Sequence, residues 1–232
     1  MADFDLYYWP VPFRGQFIRA ILAYAGKSWR EHDSDDIGDL MARAPADQPV
    51  PFMGPPVLID NASAFAIAEM PAIALYLGEK LDLLPTSPED RARSIKVVND
   101  ANDVLDELTL DGGREMWTAD KWREFVPRLS RWMEIWEATA SANGLGEESG
   151  TLLGADEPGV ADIVTAVLWS TMVDRFDVIA ALLAGTAPRV AALTRRMQAT
   201  PQLARLADDS RAKYGDAYCG GEIGKSLRAV AT

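Results

Sequence analysis

The chain has 232 residues, 48% of them hydrophobic, enough for one large domain or two small ones around a substantial core. Its 35 acidic and 23 basic residues give a formal charge of −12, and no basic run stands out, which argues against nucleic acid and acidic membrane surfaces as partners. A single cysteine, Cys219, excludes an intramolecular disulfide, the N-terminus carries no charged leader followed by an apolar stretch, and no apolar run reaches the roughly 18 residues that span a bilayer, so the expectation is a cytoplasmic protein.

In chain order, DFDLYYW reads as a strand, and GQFIRAILAYAG places Phe17, Ile18, Ile21, Leu22 and Ala25 on one helical face before Gly26 ends it. SWREHD reads as a short second strand. Residues 34–52 are rich in Asp, Ala and Pro and show no clear period. PVLID is a strand closed by the turn DNAS, FAIA follows as another, and EMPAIALYLGEKLDLLP has a helical pattern with Pro71 in the first turn, where its missing N–H does no harm. LLPTSPEDRAR marks a boundary beyond which strand signals disappear. Helices are expected over 88–110, 119–141, 158–173, 176–185, 188–199 and 201–213; the third, VADIVTAVLWSTM, is so apolar that it should run through the centre of a second domain. The last residues, CGGEIGKSLRAVAT, read as an extended or mobile tail.

A β-α-β-x-β-β-α segment, a proline-marked linker and a run of helices together resemble the cytosolic glutathione transferases. YYWPVPFRGQFIRAILAYAG resembles the first strand and helix of their tyrosine-type classes, PPVLID the strand that starts at a cis-proline, and EMPAIALYLGEK the helix whose first turn holds the γ-glutamyl group. VVNDANDVLDEL and EPGVADIVTAV resemble two landmarks of the helical domain, and the likeness covers about residues 3–213. It implies an α/β thioredoxin-like domain over residues 1–84, an all-α domain over 88–232 and a homodimer. The co-substrate would be glutathione, with no metal, and the acceptor a small hydrophobic electrophile.

The same resemblance assigns roles. Tyr8 takes the catalytic position: a phenol donating to sulfur favours the thiolate over a thiol whose ordinary pKa is about 8.5. By strand pattern alone Tyr8 also reads as a core aromatic like Tyr7 beside it. Trp9, Arg14, Pro55, Pro56, Glu69, Met70 and Asp103 fall at glutathione-binding positions. Two extra residues separate Trp9 from Arg14 relative to the nearest classes. Glu69 suits an ammonium, whereas Met70 stands where a serine is usual and brings no hydroxyl. Pro55 supplies a carbonyl but no N–H. Asp100 and Asp103 lie where some members reach across the dimer, and also read as a solvated helix face. Met116, Trp117, Trp122 and Tyr214 are candidates for an acceptor pocket and equally for core packing. Gly159 stands at an N-cap usually held by serine or threonine, and Asp162 is read as structural. His32 has no second metal ligand near it in sequence.

Two functions follow: conjugation of glutathione to an electrophile, or a binding or scaffold protein that keeps this fold without catalysis. A thiol-disulfide oxidoreductase would need a cysteine near residues 8–16, and none is there.

Overall fold

The computed structural model describes residues 2–232. Four short strands, β1 (Phe4–Tyr7), β2 (Trp29–His32), β3 (Val57–Asp60) and β4 (Phe65–Ala68), form one sheet of order β2-β1-β3-β4. β1 and β2 run parallel through the crossover helix α1 (Phe13–Tyr24), while β3 and β4 run antiparallel to their neighbours. Helix α2 (Ser34–Ala42) and a 3-10 turn at Pro45–Asp47 fill the segment in which the sequence shows no period. Asp33 explains the helix: its carboxylate accepts from the amides of Asp35 and Asp36, both at 3.0 Å, so a cap starts what hydrophobic spacing does not announce.

After α3 (Met70–Lys80) the chain is helical: α4 (Pro88–Leu108), a single left-handed turn α5 (Leu110–Gly113), α6 (Ala119–Ala142), α7 (Val160–Val173), α8 (Asp177–Thr186), α9 (Pro188–Gln198), α10 (Pro201–Tyr214) and α11 (Gly221–Val230). Every residue of α7 from Val160 to Met172 is buried, as expected of a helix apolar all round. It packs against α1, α4 and α9, which joins the sheet domain to the helical one through a continuous core. Trp136 of α6 donates to Thr165 Oγ1 (3.0 Å) and meets Trp169 edge to face, while the Trp169 Nε1 has no partner among the described residues.

Two expectations are corrected here. The C-terminal residues are not a free tail: Ile223 and Leu227, at i and i+4, are buried against the helical domain, and Ser226 Oγ accepts from the Trp117 amide at 3.1 Å. Gly159 is more than a weak cap. A Cβ there would stand 2.7 Å from the Leu83 carbonyl oxygen, which accepts the Val160 N–H at 2.9 Å, so only glycine lets the linker dock on the start of α7. Asp162 is structural as read: its carboxylate accepts from the amides of Leu152 (2.7 Å) and Gly159 (3.0 Å).

Candidate functional site

Three strand ends meet at one edge of the sheet. Tyr7 pairs with Val57 and Val57 with Ala68, so the next positions along, Tyr8, Pro56 and Glu69, stand at the same end. The Glu69 N–H donates to the Pro56 carbonyl at 3.2 Å, tying the start of α3 to the start of β3. The Pro55–Pro56 bond is cis, as the sequence leads one to expect, and Pro55 is half-buried. Glu69 is exposed and holds φ at 73°, a left-handed value uncommon for a residue with a side chain and frequent at ligand-binding positions.

Alternation along β1 sends Tyr7 and Tyr8 to opposite sides. Tyr7 stacks on His32 with ring centroids 3.8 Å apart, and His32 in turn bonds Asp5 (3.2 Å) and Asp36 (2.9 Å), which accounts for that histidine without a metal. Tyr8 is 4% exposed, and its hydroxyl accepts a hydrogen bond from the Arg14 amide at 3.1 Å. Burial pushes the Tyr8 phenol up to about 12, against the opposite pull of the Arg14 guanidinium and amide and of Arg19, whose guanidinium lies 5.7 Å from the ring centre. The phenol therefore stays neutral well above pH 7, with its own proton left to donate.

Arg14 contributes its amide to Tyr8 and its side chain to the other domain. Nε donates to Asn102 Oδ1 at 3.0 Å, and Nη2 lies 3.5 Å from Asp106, both on α4. Trp9 is half-buried on the core, and its carbonyl accepts from the Val11 amide at 2.7 Å, which tightens the loop into α1. Met70 is fully buried among core residues, so at the start of α3 only its backbone is available to a ligand. Asp103 is exposed on α4 and makes no hydrogen bond or ion pair among the described residues. Partial burial and the carboxylates of Asp100, Asp106 and Glu107 raise its carboxyl above the ordinary value. Among the described residues no hydrogen bond or ion pair joins it to Tyr8; Asp100, one turn earlier, pairs with Lys96.

The sequence-based candidates for an acceptor pocket divide. Trp117 and Trp122 are buried and pack on each other and on Phe125, with Trp117 Nε1 donating to the Leu108 carbonyl at 3.0 Å, so these rings fill the core. Met116 is half-buried beside Ser226, and Tyr214 lines a different cleft, against Trp29. The group that does stand near the site is Tyr218, which the sequence reading missed because it lies just ahead of the segment taken for a tail. Its ring sits between the edges of Phe13 (5.4 Å) and Phe176 (5.5 Å), burial holds its phenol well above the ordinary value, and Tyr8 and Arg14 are among the groups acting on it. Its hydroxyl has no partner among the described residues. A cleft of about 340 Å³ opens beside it, between Val11 and residues 216–228. Cys219 next to it is buried, and burial pushes its thiol up to about 11, so it is no thiolate nucleophile at neutral pH.

The fold has known counterparts. A Dictyostelium discoideum protein named "Putative glutathione S-transferase alpha-5" is 25% identical over 204 residues, 88% of this chain and 94% of its own. Among solved structures, the Pi-class glutathione S-transferase of Onchocerca volvulus superposes with a TM-score of 0.74 at 16% identity, over 95% of this chain and 99% of the other. NaGST-2 gives 0.72 at 19% identity, over 90% and 97%. Ure2p in complex with glutathione gives 0.70 at 17% identity, over 88% and 92%. At these identities the structures speak for the fold alone. The family model described as "Glutathione S-transferase, C-terminal domain" matches residues 93–230, more than half of the chain, and with the four-stranded domain ahead of it this chain belongs to the glutathione S-transferase family.

Proposed function

We propose that the chain conjugates the thiolate of glutathione to a small hydrophobic electrophile, with Tyr8 holding the sulfur. One observation carries this reading: the Tyr8 hydroxyl accepts from the Arg14 amide and stays neutral at pH 7, so its O–H is free to donate to a thiolate. A hydrogen bond made to the charged form lowers the thiol pKa; the thiol proton leaves to solvent, the sulfur forms a bond to the electrophilic carbon, and a leaving group departs with its electron pair.

The residues at the strand edge fit the tripeptide in part. The Pro55 carbonyl can accept from its cysteinyl amide, and the Glu69 carboxylate suits its ammonium. The free amides in the first turn of α3, with the helix dipole, suit its α-carboxylate, although Pro71 supplies none. Arg14, reaching Asn102 and Asp106, and Trp9 fix the loop above Tyr8. The cleft beside Tyr218 is the acceptor site. Residues 1–84 bind glutathione, and residues 88–232 bind the acceptor. The protein acts in the cytoplasm as a homodimer, the state in which Asp103 meets the partner's glutathione.

A second reading, a binding protein without catalysis, is favoured by the missing N–H at Pro55 and the buried side chain of Met70. Titration of glutathione followed by tryptophan fluorescence separates the two, together with turnover of a generic aryl halide. Saturable binding with turnover supports the enzyme; binding without turnover supports the second reading, and no binding at millimolar glutathione sinks both assignments of the strand edge. Light scattering at micromolar concentration tests the dimer.

A further inference from the structure

Two arginines of α1 act on Tyr8, and they are held in opposite ways. Arg19, 2% exposed, grips both oxygens of the Glu31 carboxylate, through Nε at 2.6 Å and Nη2 at 3.0 Å, and reaches the Val11 carbonyl at 3.1 Å. Its charge is matched at contact distance. Arg14 is held by an amide instead: Nε donates to Asn102 Oδ1 at 3.0 Å, and Nη1 makes no hydrogen bond among the described residues. The one carboxylate paired with it among the described residues is Asp106, 3.5 Å from Nη2. Its side chain is 71% exposed against 22% for Arg14, so water screens most of that pair.

The difference is one of net charge. A carboxylate at contact distance cancels most of a cation's field on third groups, because the two opposite charges act from nearly the same place. A neutral amide that accepts from Nε fixes the guanidinium and cancels nothing. The Tyr8 phenol registers this: burial pushes it up, and among the charges that pull it down Arg14 comes ahead of Arg19, although Arg19 is the one lying over its ring, 5.7 Å from the centre.

Asn102 is half-buried on α4, flanked by the buried Ala101, Val104 and Leu105, so the core fixes the place of its carboxamide. The stretch around it is acidic, with Asp100, Asp103, Asp106 and Glu107. On that stretch, the side chain that meets Arg14 Nε is an uncharged one.

We propose that Asn102 is a positioning residue for the conjugation reaction: it holds Arg14 in place without neutralising it, so that an unpaired positive charge acts on the anion held at Tyr8. The proposal rests on the reading that this anion is the glutathione thiolate. A cation near an ionising thiol favours the charged form, and Asn102 secures that effect without touching the substrate.

The test follows, by ultraviolet absorption, the pH at which bound glutathione is half converted to thiolate, in the parent and in Asn102→Asp, which keeps the size of the side chain and turns the amide into a carboxylate. In Asn102→Asp this midpoint should rise by at least about half a pH unit, or about threefold less thiolate at a fixed pH below it. Turnover of a generic aryl halide at that pH should fall by the same factor. The melting temperature should stay within ~2 °C of the parent, because Arg14 keeps a partner. Asn99→Asp adds the same charge at an exposed position three residues earlier on α4 and should leave the midpoint in place. A parent in which glutathione gives no thiolate removes the conjugation reading and this proposal with it. A parent that forms thiolate, with an unmoved midpoint in Asn102→Asp, overturns this proposal alone, whatever the melt does. So does an equal rise in Asn99→Asp, which would make the effect one of total charge on α4.

Discussion

A Cβ atom on Gly15 would stand 2.3 Å from Tyr8 Cδ1, so the first turn of α1 and the Tyr8 ring share a space that only glycine leaves open. The consequence is reciprocal: α1 holds the ring in place, and the Arg14 amide one residue earlier holds the hydroxyl. Gly15→Ala should cost about 1–3 kcal/mol of stability, the range for overpacking, and should also shift the phenol off its amide donor. Thermal melts and turnover measured together check this. An unchanged melt with full activity would mean that the ring has room to move.

Tyr8→Phe deletes the donor and keeps the ring. Turnover should fall ~10- to 100-fold, the scale of one charge-assisted hydrogen bond worth roughly 1.5–3 kcal/mol, while the melt stays close to that of the parent. Tyr7→Phe, on the other side of the sheet against His32, is the control and should leave turnover unaltered. Thiolate absorption of bound glutathione gives a second readout: it should shrink in Tyr8→Phe and persist in Tyr7→Phe. Equal turnover in both variants would remove Tyr8 from the chemistry.

Asp60 ties β3 to α3. It is 1% exposed, accepts from the Tyr76 hydroxyl at 2.5 Å and pairs with Lys80 at 2.5 Å. Burial alone would raise its carboxyl; the hydrogen bonds from Lys80, Tyr76 and the Ala62 amide outweigh it and bring the group from 3.8 down to about 2. A depressed carboxylate stabilises the fold above its unfolded value and loses that contribution as pH falls through the folded value. Asp60→Asn should therefore lower the melting temperature at neutral pH, and the gap from the parent should close between about pH 4 and pH 2. A gap that is constant over that window would show that the pair carries no pH-linked stability.

What the sequence makes legible follows from where the determining contacts lie. Helices α1, α4, α6, α7, α9 and α10 announce themselves because their apolar spacing is local, and their ends fall within two residues of expectation. Helix α2 buries only Ile37 and Leu40, too little for a period to show, and depends on the Asp33 cap. Helix α11 does carry the signal, Ile223 and Leu227 one turn apart, but the Gly-rich segment before it masks the pattern. At the site, Tyr8, Pro56 and Glu69 come together through strand order, which short motifs reveal. The Arg14–Asn102 bond spans 88 residues, and the inward turn of Met70 depends on which face of α3 meets the core; neither can be read from local spacing.

Met70 also changes how the strand edge should be tested. By the family resemblance, Met70→Ser would restore a hydroxyl toward glutathione; with the side chain fully buried in the core, the substitution instead removes packing. It should cost about 2–5 kcal/mol of stability, by analogy with large-to-small core changes, and should not tighten glutathione binding. Pro55→Val is the informative variant. Pro55 is half-buried two residues ahead of β3, so valine adds an N–H without emptying the core. A tripeptide lying antiparallel along this edge would gain one hydrogen bond, on the order of 1 kcal/mol or about fivefold in affinity, read by fluorescence titration beside a melt that confirms folding. If the folded Pro55→Val variant binds glutathione no better than the parent, the ligand does not run along β3, and the conjugation reading is left resting on Tyr8 alone.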